Sequence, residues 1–476
     1  MFKDQSGMFK KIEDIKNKKI TIMGLGLNQG GLGISRFFAK AGAKLVVTDL
    51  KTEQELKPSL EKLKEFDIRY VLGKHDEKDF IETDLVIQNP AIPDNSKHLQ
   101  IARKHGIPIK TDLDIFLNFC PSRKIIAISG TKGKSTVSNL IFKIFQNAGI
   151  HSILAGNMGI SVFNVLDKLT PSTHLILEIS SWQLEGIKDH KFRANTTVLT
   201  NIIPDHLDRY DSFKNYAEAE KLILKYLDSK DHLIINFDNR EVYKETKKIS
   251  SCIYGFSTQK KVKVGSYLRK NELRYSSGEY DVCFAKISDL LLMGRHHLEN
   301  ILAACTVAFI HRIPIKIITQ TISRFSGIPY RLELVGEKNG VKFYNDTCAT
   351  TPEATLAALQ SLPDQPIILV IGGKNKKLVY DKMIEAISKD RRIKKIVLFR
   401  HPNYDVTTFL YSRLKNSFES KKIVFANNMA EAIQSADITA KSGDIILLSP
   451  AAASFGMFKN EFDRGDQFNN AVKNLL

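Results

Sequence analysis

Ile125-Ile126-Ala127-Ile128-Ser129-Gly130-Thr131-Lys132-Gly133-Lys134-Ser135-Thr136 reads as one unit whose period changes in the middle. It opens on an apolar, largely β-branched run, the pattern of a parallel strand buried on both faces. A glycine-rich turn follows, after which Val137, Leu140, Ile141, Ile144 and Phe145 fall at helical spacing. Strand, glycine loop, Lys-Ser and helix are the layout of a phosphate cradle, in which N–H groups of the loop and of the helix N-terminus point at an anion. In such a cradle Lys134 reaches the β- and γ-phosphates and the Ser135 hydroxyl holds Mg2+. The run departs from the G-x-x-x-x-G-K-[ST] signature, because Ile128 stands at the place of its first glycine. The alternative for these residues alone is a lysine-rich turn in an ordinary α/β unit.

Composition bounds what surrounds this centre. A chain of 476 residues is long enough for roughly two to four domains, each with its own core. No apolar run approaches the roughly 20 residues needed to span a bilayer, and Met1 to Lys19 is polar, without a signal-peptide core. The five cysteines, Cys120, Cys252, Cys283, Cys305 and Cys348, have neither paired nor metal-ligand spacing, so a reducing cytoplasm is expected. The formal charge of +18 raises nucleic-acid binding as a function. Lysines are spread through every segment, however, and no basic block is interleaved with aromatics, so no nucleic-acid partner is expected. A basic surface suits any polyanionic ligand, nucleotides included.

N-terminal to the cradle, Lys19–Gly26 is a short strand running into glycines, with Gly30, Gly31 and Gly33 following and an apolar helix through Ile34, Phe37 and Phe38. A second strand, Lys44 to Thr48, ends at Asp49, as in the opening βαβ unit of a Rossmann fold. Gln29 takes the third glycine position of G-x-G-x-x-G, so the dinucleotide fingerprint fails. A strand at Leu85–Ile87 ends in Asn89-Pro90-Ala91, at the sheet edge where open α/β sheets bind ligands. C-terminal to the cradle, the strand His174–Leu177 ends in Glu178, a place for a Mg2+ ligand beside a phosphate loop. The strand Thr197–Ile203 runs into Pro204-Asp205-His206-Leu207-Asp208-Arg209-Tyr210, a polar cluster denser than a core histidine needs. A helix over Ser212–Leu227 carries Lys221, by pattern one of many helix lysines. Residues 230–293 hold one clear strand, Leu233–Asn236, and short polar β-like pieces. Gly294-Arg295-His296-His297-Leu298-Glu299-Asn300 opens a helix rich in small residues, where the polar groups either read a base or cap the helix. Gly327-Ile328-Pro329-Tyr330-Arg331 is a turn signal. Beyond it come a hairpin-like pair, Leu332–Gly336 and Val341–Tyr344, and alternating helices and strands to Asp444–Leu448. The expected fold is α/β in three domains: a Rossmann-like domain over 1–121, a P-loop-type domain over 122–325 and a second Rossmann-like domain over 326–476.

At this point the sequence resembles the Mur ligase family of ATP-dependent amide-bond ligases. The markers are Gly130–Thr136, Glu178, Asp205-His206-Leu207-Asp208, Gly294-Arg295-His296, Tyr330-Arg331 and Asn345-Asp346, and the resemblance covers essentially the whole chain. Leu177–Ser181, Asn345-Asp346-Thr347, Gly372-Gly373, Leu448–Ala451 and Phe458-Lys459-Asn460 point to the branch that adds D-glutamate to UDP-N-acetylmuramoyl-L-alanine in peptidoglycan precursor synthesis. The resemblance implies a cytoplasmic monomer acting on small molecules, with no membrane partner. It implies that a substrate carboxylate attacks the γ-phosphate of ATP and that an amine then displaces phosphate from the acyl phosphate, a course that needs fixed cations more than a nucleophile.

By the same resemblance, Gly130, Thr131, Lys132, Gly133, Lys134, Ser135 and Thr136 hold the ATP phosphates, with Lys134 stabilising the β- and γ-phosphates. Ser135 and Glu178 bind one Mg2+, and His206 joins a second. Lys221 matches a lysine that is carbamylated in the family and then serves as an anionic ligand beside the metal. Asn300, Arg331 and Asp346 are assigned to ATP, the last two from the C-terminal domain. Leu27, Asn28, Asp49, Lys51 and Ala91 are assigned to the uridine diphosphate, and Asn157 to the nucleotide-sugar substrate. Thr350, Lys376, Ser454 and the neighbourhood of Phe458 to Phe462 are assigned to the carboxylates of the incoming amino acid.

Three places depart from the branch. Cys348 stands where a lysine is usual, His297 replaces an asparagine of the adenine-side motif, and Glu461-Phe462 is a swap or register shift of Phe-Glu. A neutral thiol cannot replace an ammonium facing a carboxylate, which leaves a sibling ligase for another amino acid as the alternative. A non-catalytic nucleotide-binding P-loop protein is the alternative from another class. It accounts for Lys134 and leaves Glu178, His206, Lys221 and Asp346 unexplained.

Overall fold

The computed structural model describes the chain apart from residues 1–8, 10, 27–28, 158–160, 207–208, 248, 293–294, 375–377, 401–404, 417, 419–421 and 455. The described residues form two compact units, Met1–Arg324 and Phe325–Leu476. Three sheets are distributed over them, of five, nine and six strands.

The first sheet is parallel throughout. Its strands β1 (Lys19–Met23), β2 (Lys44–Asp49), β3 (Ile68–Leu72), β4 (Leu85–Gln88) and β5 (Ile109–Thr111) lie in the order β3-β2-β1-β4-β5. The chain leaves β1 on one side and returns on the other through β4, so the C-terminal ends of β1 and β4 flank a topological switch point. Asn89 joins the two ends, its N–H donating to the Met23 carbonyl at 3.0 Å and Nδ2 to the Gly24 carbonyl at 3.2 Å. Gly24 has φ +93°, and a Cβ there would stand 2.8 Å from that of Asn89. Glycine at this turn is therefore a steric requirement.

The second sheet, in the same unit, consists of β6 (Lys124–Ser129), β7 (Ser152–Gly156), β8 (His174–Glu178), β9 (Thr196–Leu199), β10 (His232–Asn236), β11 (Cys252–Ser257), β12 (Gly265–Arg269), β13 (Glu272–Ser276) and β14 (Asp281–Lys286). Their order is β14-β13-β12-β11-β10-β9-β6-β8-β7. All neighbours are parallel up to β12, beyond which β13 and β14 are antiparallel. The polar pieces that said little in the sequence are this extension. Its strands are only partly buried, so they lack the unbroken apolar run of a strand covered on both faces. Strand β9 stops at Leu199, short of the expected Ile203, because residues 200–203 turn to hold the phosphate loop. The following helix spans Phe213–Lys221 and tightens into a 3-10 turn at Leu222–Leu224.

The first two sheets share one apolar core. Helix Gln29–Lys40 lies so close to residues 161–164 that a Cβ on Gly33 would meet Ser161 Oγ at 2.2 Å. Phe37 packs its ring 4.7 Å from that of Phe163 and 5.5 Å from that of Phe119. Phe163, buried, contributes up to about 1.5–3 kcal/mol and the partly buried Phe37 and Phe119 less, and such contacts hold the two sheets in one compact unit.

In the second unit, β15 (Glu333–Lys338) and β16 (Val341–Asn345) form an antiparallel hairpin. Strands β17 (Ile367–Ile371), β18 (Ile393–Phe399), β19 (Ile423–Ala426) and β20 (Ile445–Leu448) complete the order β15-β16-β20-β17-β18-β19. On β17 the alternation of the pleat is explicit. Ile367, Leu369 and Ile371 join one apolar cluster, while Ile368 and Val370 join the other. A strand covered on both faces therefore reads as Ile-Ile-Leu-Val-Ile. Among the described residues no helix is long and apolar enough to cross a membrane.

Candidate active site

The phosphate loop lies at the C-terminal end of β6, against the loop that follows β9. Gly130 adopts φ +122°, and a Cβ there would fall 2.3 Å from Thr200 Oγ1. The early N–H groups of the loop are already engaged. Gly130 donates to Glu220 Oε2 at 3.0 Å, Thr131 to the Asn201 carbonyl at 2.8 Å and Lys132 to Asn201 Oδ1 at 3.0 Å. What remains to meet an anion is the start of helix Lys134–Asn147, whose first N–H groups have no intrahelical acceptor. Lys134 Nζ donates to the carbonyls of Gly130 at 2.6 Å and Thr131 at 3.1 Å, which parks the ammonium over the loop. Ser135 and Thr136 occupy the first turn, half-buried.

Strand β8 brings Glu178 beside this helix. Its side chain is 1% exposed, with Ser138 Oγ 3.4 Å from Oε2 and Asn157 Nδ2 3.3 Å from Oε1. Both contacts are long, and no described cation pairs with this carboxylate within 4 Å. Gly156, with φ +114°, allows the end of β7 to approach, since a Cβ there would stand 2.1 Å from the Glu178 carbonyl. Asn157 is thereby held at the mouth of the site, its N–H on that same carbonyl at 3.0 Å.

The segment after β9 brings Asp205 and His206 to the loop. Asp205 Oδ2 lies 2.8 Å from Lys132 Nζ, and Oδ1 accepts the His206 N–H at 2.9 Å. Burial pushes the Asp205 carboxyl up, but Lys132 outweighs it and the net shift is downward. His206 takes a left-handed φ of +54°, and its exposed ring lies 5.4 Å from that of Trp182 and 5.9 Å from that of Tyr216.

Helix Phe213–Lys221 starts at the N-cap Ser212 and sends two adjacent residues different ways. Glu220, 1% exposed, faces the loop. Its Oε2 accepts the Gly130 N–H and lies 2.8 Å from Ser129 Oγ, and its Oε1 lies 3.0 Å from the Tyr216 hydroxyl. That hydroxyl is also 2.8 Å from Thr131 Oγ1. Burial, then the Glu220 charge, holds the Tyr216 phenol above its ordinary range. Lys221 turns the other way, with Nζ 3.0 Å from Glu218 and 3.1 Å from Glu245. Glu220 and Tyr216 escaped the sequence reading. The available signal was their i, i+4 spacing on the helix face that also carries buried Ala217.

Helix Arg295–Ile310 closes the loop from its other side. Asn300, 8% exposed, reaches Gly133, where a Cβ would fall 2.2 Å from Asn300 Oδ1. His297 is half-buried, its ring 4.0 Å from that of His296, and burial followed by that neighbour pushes its imidazole down to about 4.

At the switch point of the first sheet, the buried Asp49 carboxylate accepts the N–H groups of Gly26 and Lys51, each at 2.9 Å. The N–H of exposed Ala91 donates to Asn89 Oδ1 at 3.0 Å. Leu27 and Asn28 lie outside the described residues. Between this sheet and the central one runs a cleft of about 920 Å3, lined by Gln88, Pro90, Lys110, Trp182, Glu185 and Arg209 among others. Arg209 spans it, donating to the Pro90 carbonyl at 2.8 Å with its guanidinium 4.3 Å from the Trp182 ring centroid.

In the second unit Asp346 is buried at the end of β16. Ser449 Oγ donates to Oδ2 at 2.7 Å and the Leu332 N–H to Oδ1 at 3.2 Å. Burial prevails over these bonds and over nearby Arg331, raising its pKa to about 7. Cys348 follows, its N–H on the Tyr330 carbonyl at 3.1 Å; burial pushes its thiol up while Arg331 opposes. Thr350 is half-buried and Ser454 buried, while Lys376 lies outside the described residues. Arg464, fully buried, donates to Thr347 Oγ1 at 2.9 Å, the Thr347 carbonyl at 2.8 Å and the Ala452 carbonyl at 3.2 Å. The sequence reading missed this guanidinium, since an arginine in a helix otherwise reads as a solvated charge.

Residues 18–111 match the Mur ligase MurD-like N-terminal domain, residues 128–308 the Mur ligase middle domain, and residues 330–452 the Mur ligase glutamate ligase domain. The sequence is 35% identical to the UDP-N-acetylmuramoylalanine–D-glutamate ligase of Roseiflexus sp. over 472 residues, 97% of this chain and 99% of that one. It is 34% identical to the enzyme of the same name from Acetivibrio thermocellus, over 98% of both chains. With the one from Caldanaerobacter subterraneus it shares 32% over 97% of this chain and 99% of that one. Among solved structures, the UDP-N-acetylmuramate-alanine ligase of Thermotoga maritima aligns with TM-score 0.55 at 16% identity, covering 97% of this chain and 100% of that one. At that identity the likeness is one of fold.

Proposed function

The chain belongs to the Mur ligase family, and from that premise we propose that it joins D-glutamate to UDP-N-acetylmuramoyl-L-alanine. It is an ATP-dependent ligase that forms a C–N bond. The observation that carries the choice of amino acid is the end-to-end likeness, at 32% to 35% identity, to ligases named for D-glutamate. The reaction belongs to peptidoglycan precursor synthesis, a cytoplasmic process, and the proposal has the protein act there as a monomer.

In this reading the carboxylate of UDP-N-acetylmuramoyl-L-alanine attacks the γ-phosphorus of ATP and ADP leaves. The amine of D-glutamate then attacks the acyl carbon and phosphate leaves. Negative charge collects first on phosphoryl oxygens and then on the tetrahedral oxyanion, so preorganised positive ends do most of the stabilising. The first turn of helix Lys134–Asn147 supplies such an end. Lys134, held over the loop by two carbonyls, exchanges one of them for a phosphate oxygen.

Magnesium fits this donor set. Glu178 is a buried carboxylate whose hydrogen bonds among the described residues, from Ser138 and Asn157, are both long, and Ser135 offers a hydroxyl in the adjacent turn. Ser135 and Glu178 would hold one ion and His206 would contribute to a second. When bound, the metal neutralises the oxygens of the transferring phosphoryl group. Asn300, Arg331 and Asp346 are proposed for ATP, Asp49, Lys51, Ala91 and Asn157 for the nucleotide sugar, and Thr350 and Ser454 for the amino acid. Leu27, Asn28 and Lys376 belong to the same proposal by resemblance alone.

Phosphate release from ATP, measured with UDP-N-acetylmuramoyl-L-alanine, tests the assignment. D-glutamate, L-glutamate, D-aspartate and L-lysine are supplied in turn against a blank. Stimulation by D-glutamate alone is expected. Stimulation by another amino acid would move the specificity to the Cys348 pocket, and none from any of them would remove the ligase reading.

A further inference from the structure

Two consecutive residues of helix Phe213–Lys221 have opposite surroundings, because successive side chains on a helix point about 100° apart. The resemblance gives Lys221 an anionic role that requires a carboxyl group to be added to Nζ. The geometry assigns that lysine elsewhere. Its ammonium lies 3.0 Å from Glu218 Oε1 and 3.1 Å from Glu245 Oε1. Carbamylation of this ammonium joins its nitrogen to the carbon of CO2 and releases two protons, one to free the amine and one as the N–C bond forms. Here it would turn the cation of this cluster into a third anion between two carboxylates. The repulsion would be strong in a pocket where the lysine side chain is only 16% exposed.

Glu220 already has what the modified lysine would supply. It is a carboxylate on the adjacent position, 1% exposed, with one oxygen on the Gly130 N–H at 3.0 Å and close to Ser129 Oγ. The other oxygen is fixed by Tyr216, which also contacts Thr131. Gly130 is thus held at both ends of its peptide units, the N–H by Glu220 and the carbonyl by Lys134. No described lysine, arginine or histidine lies within ion-pair distance of Glu220, so its charge is open to a cation brought with the nucleotide.

We propose that Glu220, unmodified, is the fixed anion of the phosphate loop and that Lys221 is a structural ammonium that takes up no CO2. Glu220 is then a positioning residue, acting through the Ser129–Gly130 backbone and through its charge. The inference rests on the ligase reading for its meaning, but two of its three tests need no turnover.

Wild-type protein is first equilibrated with 13C-bicarbonate, and its carbon NMR spectrum is compared with that of Lys221→Arg. No carbamate resonance that the substitution removes is expected; one that disappears would overturn the proposal. Binding of Mg2+–ATP is then measured by calorimetry for wild type, Glu220→Gln and Lys221→Arg, with melting temperatures alongside. Glu220→Gln keeps the shape and an acceptor oxygen but not the charge. It should weaken Mg2+–ATP by roughly tenfold or more, as expected for losing a charge-assisted bond, while Lys221→Arg stays at wild-type affinity. The reverse pattern, or a Glu220→Gln protein that only melts earlier, would overturn it. Should Glu220→Gln not fold, Glu220→Asp, with the charge drawn back, takes its place under the same criteria. Finally, wild-type phosphate release should be the same in CO2-depleted and bicarbonate-supplemented buffer, and a bicarbonate requirement would refute the inference. A wild-type protein inactive with every amino acid would remove the ligase reading alone, leaving the NMR and binding measurements to decide this one.

Discussion

Replacing Gly133 by alanine tests whether the phosphate loop is preorganised in the shape described. Gly133 has φ +91°, and the added Cβ would fall 2.2 Å from Asn300 Oδ1. An L-residue held in left-handed backbone costs about 1–2 kcal/mol. Driving the buried Asn300 side chain from its rotamer costs about 0.5–1.5 kcal/mol more. Together these give roughly 1.5–3.5 kcal/mol, and that energy must appear in one of two places. If the loop keeps its shape, the strain is carried by the folded protein and lowers its melting temperature. If the loop relaxes, the shape must be rebuilt on binding, and the ATP dissociation constant rises on the order of 10- to 400-fold. Scanning calorimetry and titration calorimetry with ATP measure the two terms on the same samples. In an Asn300→Ala background the collision is gone and only the backbone term of about 1–2 kcal/mol remains, so the two substitutions should be non-additive. A Gly133→Ala protein with unchanged melting and unchanged ATP affinity would refute the reasoning. So would a penalty equally large with and without the Asn300 side chain.

Three further outcomes follow from the same geometry. Lys134→Ala should cut substrate-dependent phosphate release by about 10²–10³-fold, the usual loss on removing one transition-state contact, with folding by circular dichroism intact; unchanged turnover would remove Lys134 from phosphoryl transfer. Asp346, raised to about 7 by burial, holds its proton more tightly folded than unfolded, where the value is about 3.9. The second unit should therefore lose stability as pH rises through that window and level off above it, and Asp346→Asn should flatten melting temperature against pH. Arg209→Ala removes both the Trp182 stack and the Pro90 hydrogen bond, for about 1–2 kcal/mol. It should raise KM for the nucleotide sugar, and Arg209→Lys should restore only part of the loss because an ammonium cannot stack as a guanidinium does.

Much of the architecture was legible before any coordinates, because it is local. The change from an apolar strand run to helical spacing across Gly130–Ser135 marks β6, the loop and the helix, and the unbroken apolar runs at β17 and β20 mark strands covered on both faces. Strands β12 to β14 were not legible, since the clean alternation of a half-wetted antiparallel strand is blurred where glycine and serine (Gly265, Ser266, Ser276) take buried positions. Arg464 and Asn201 were equally silent, Thr347 and Lys132, to which they bond, lying 117 and 69 residues away in the chain.

The sequence by itself determined that a strand, a glycine loop and a Lys-Ser helix start stand together, that the chain is built of three α/β regions, and which acids end the strands. Each of those follows from side-chain volume, backbone freedom and period over a few residues. Only the tertiary structure decided that Gly130, Thr131 and Lys132 spend their N–H groups on the protein, leaving the helix start for an anion. It alone decided that Glu220 and not Lys221 faces the loop. Adjacent helix positions differ by a rotation, and the phase of that rotation is set by where the helix is capped at Ser212 and what it packs against.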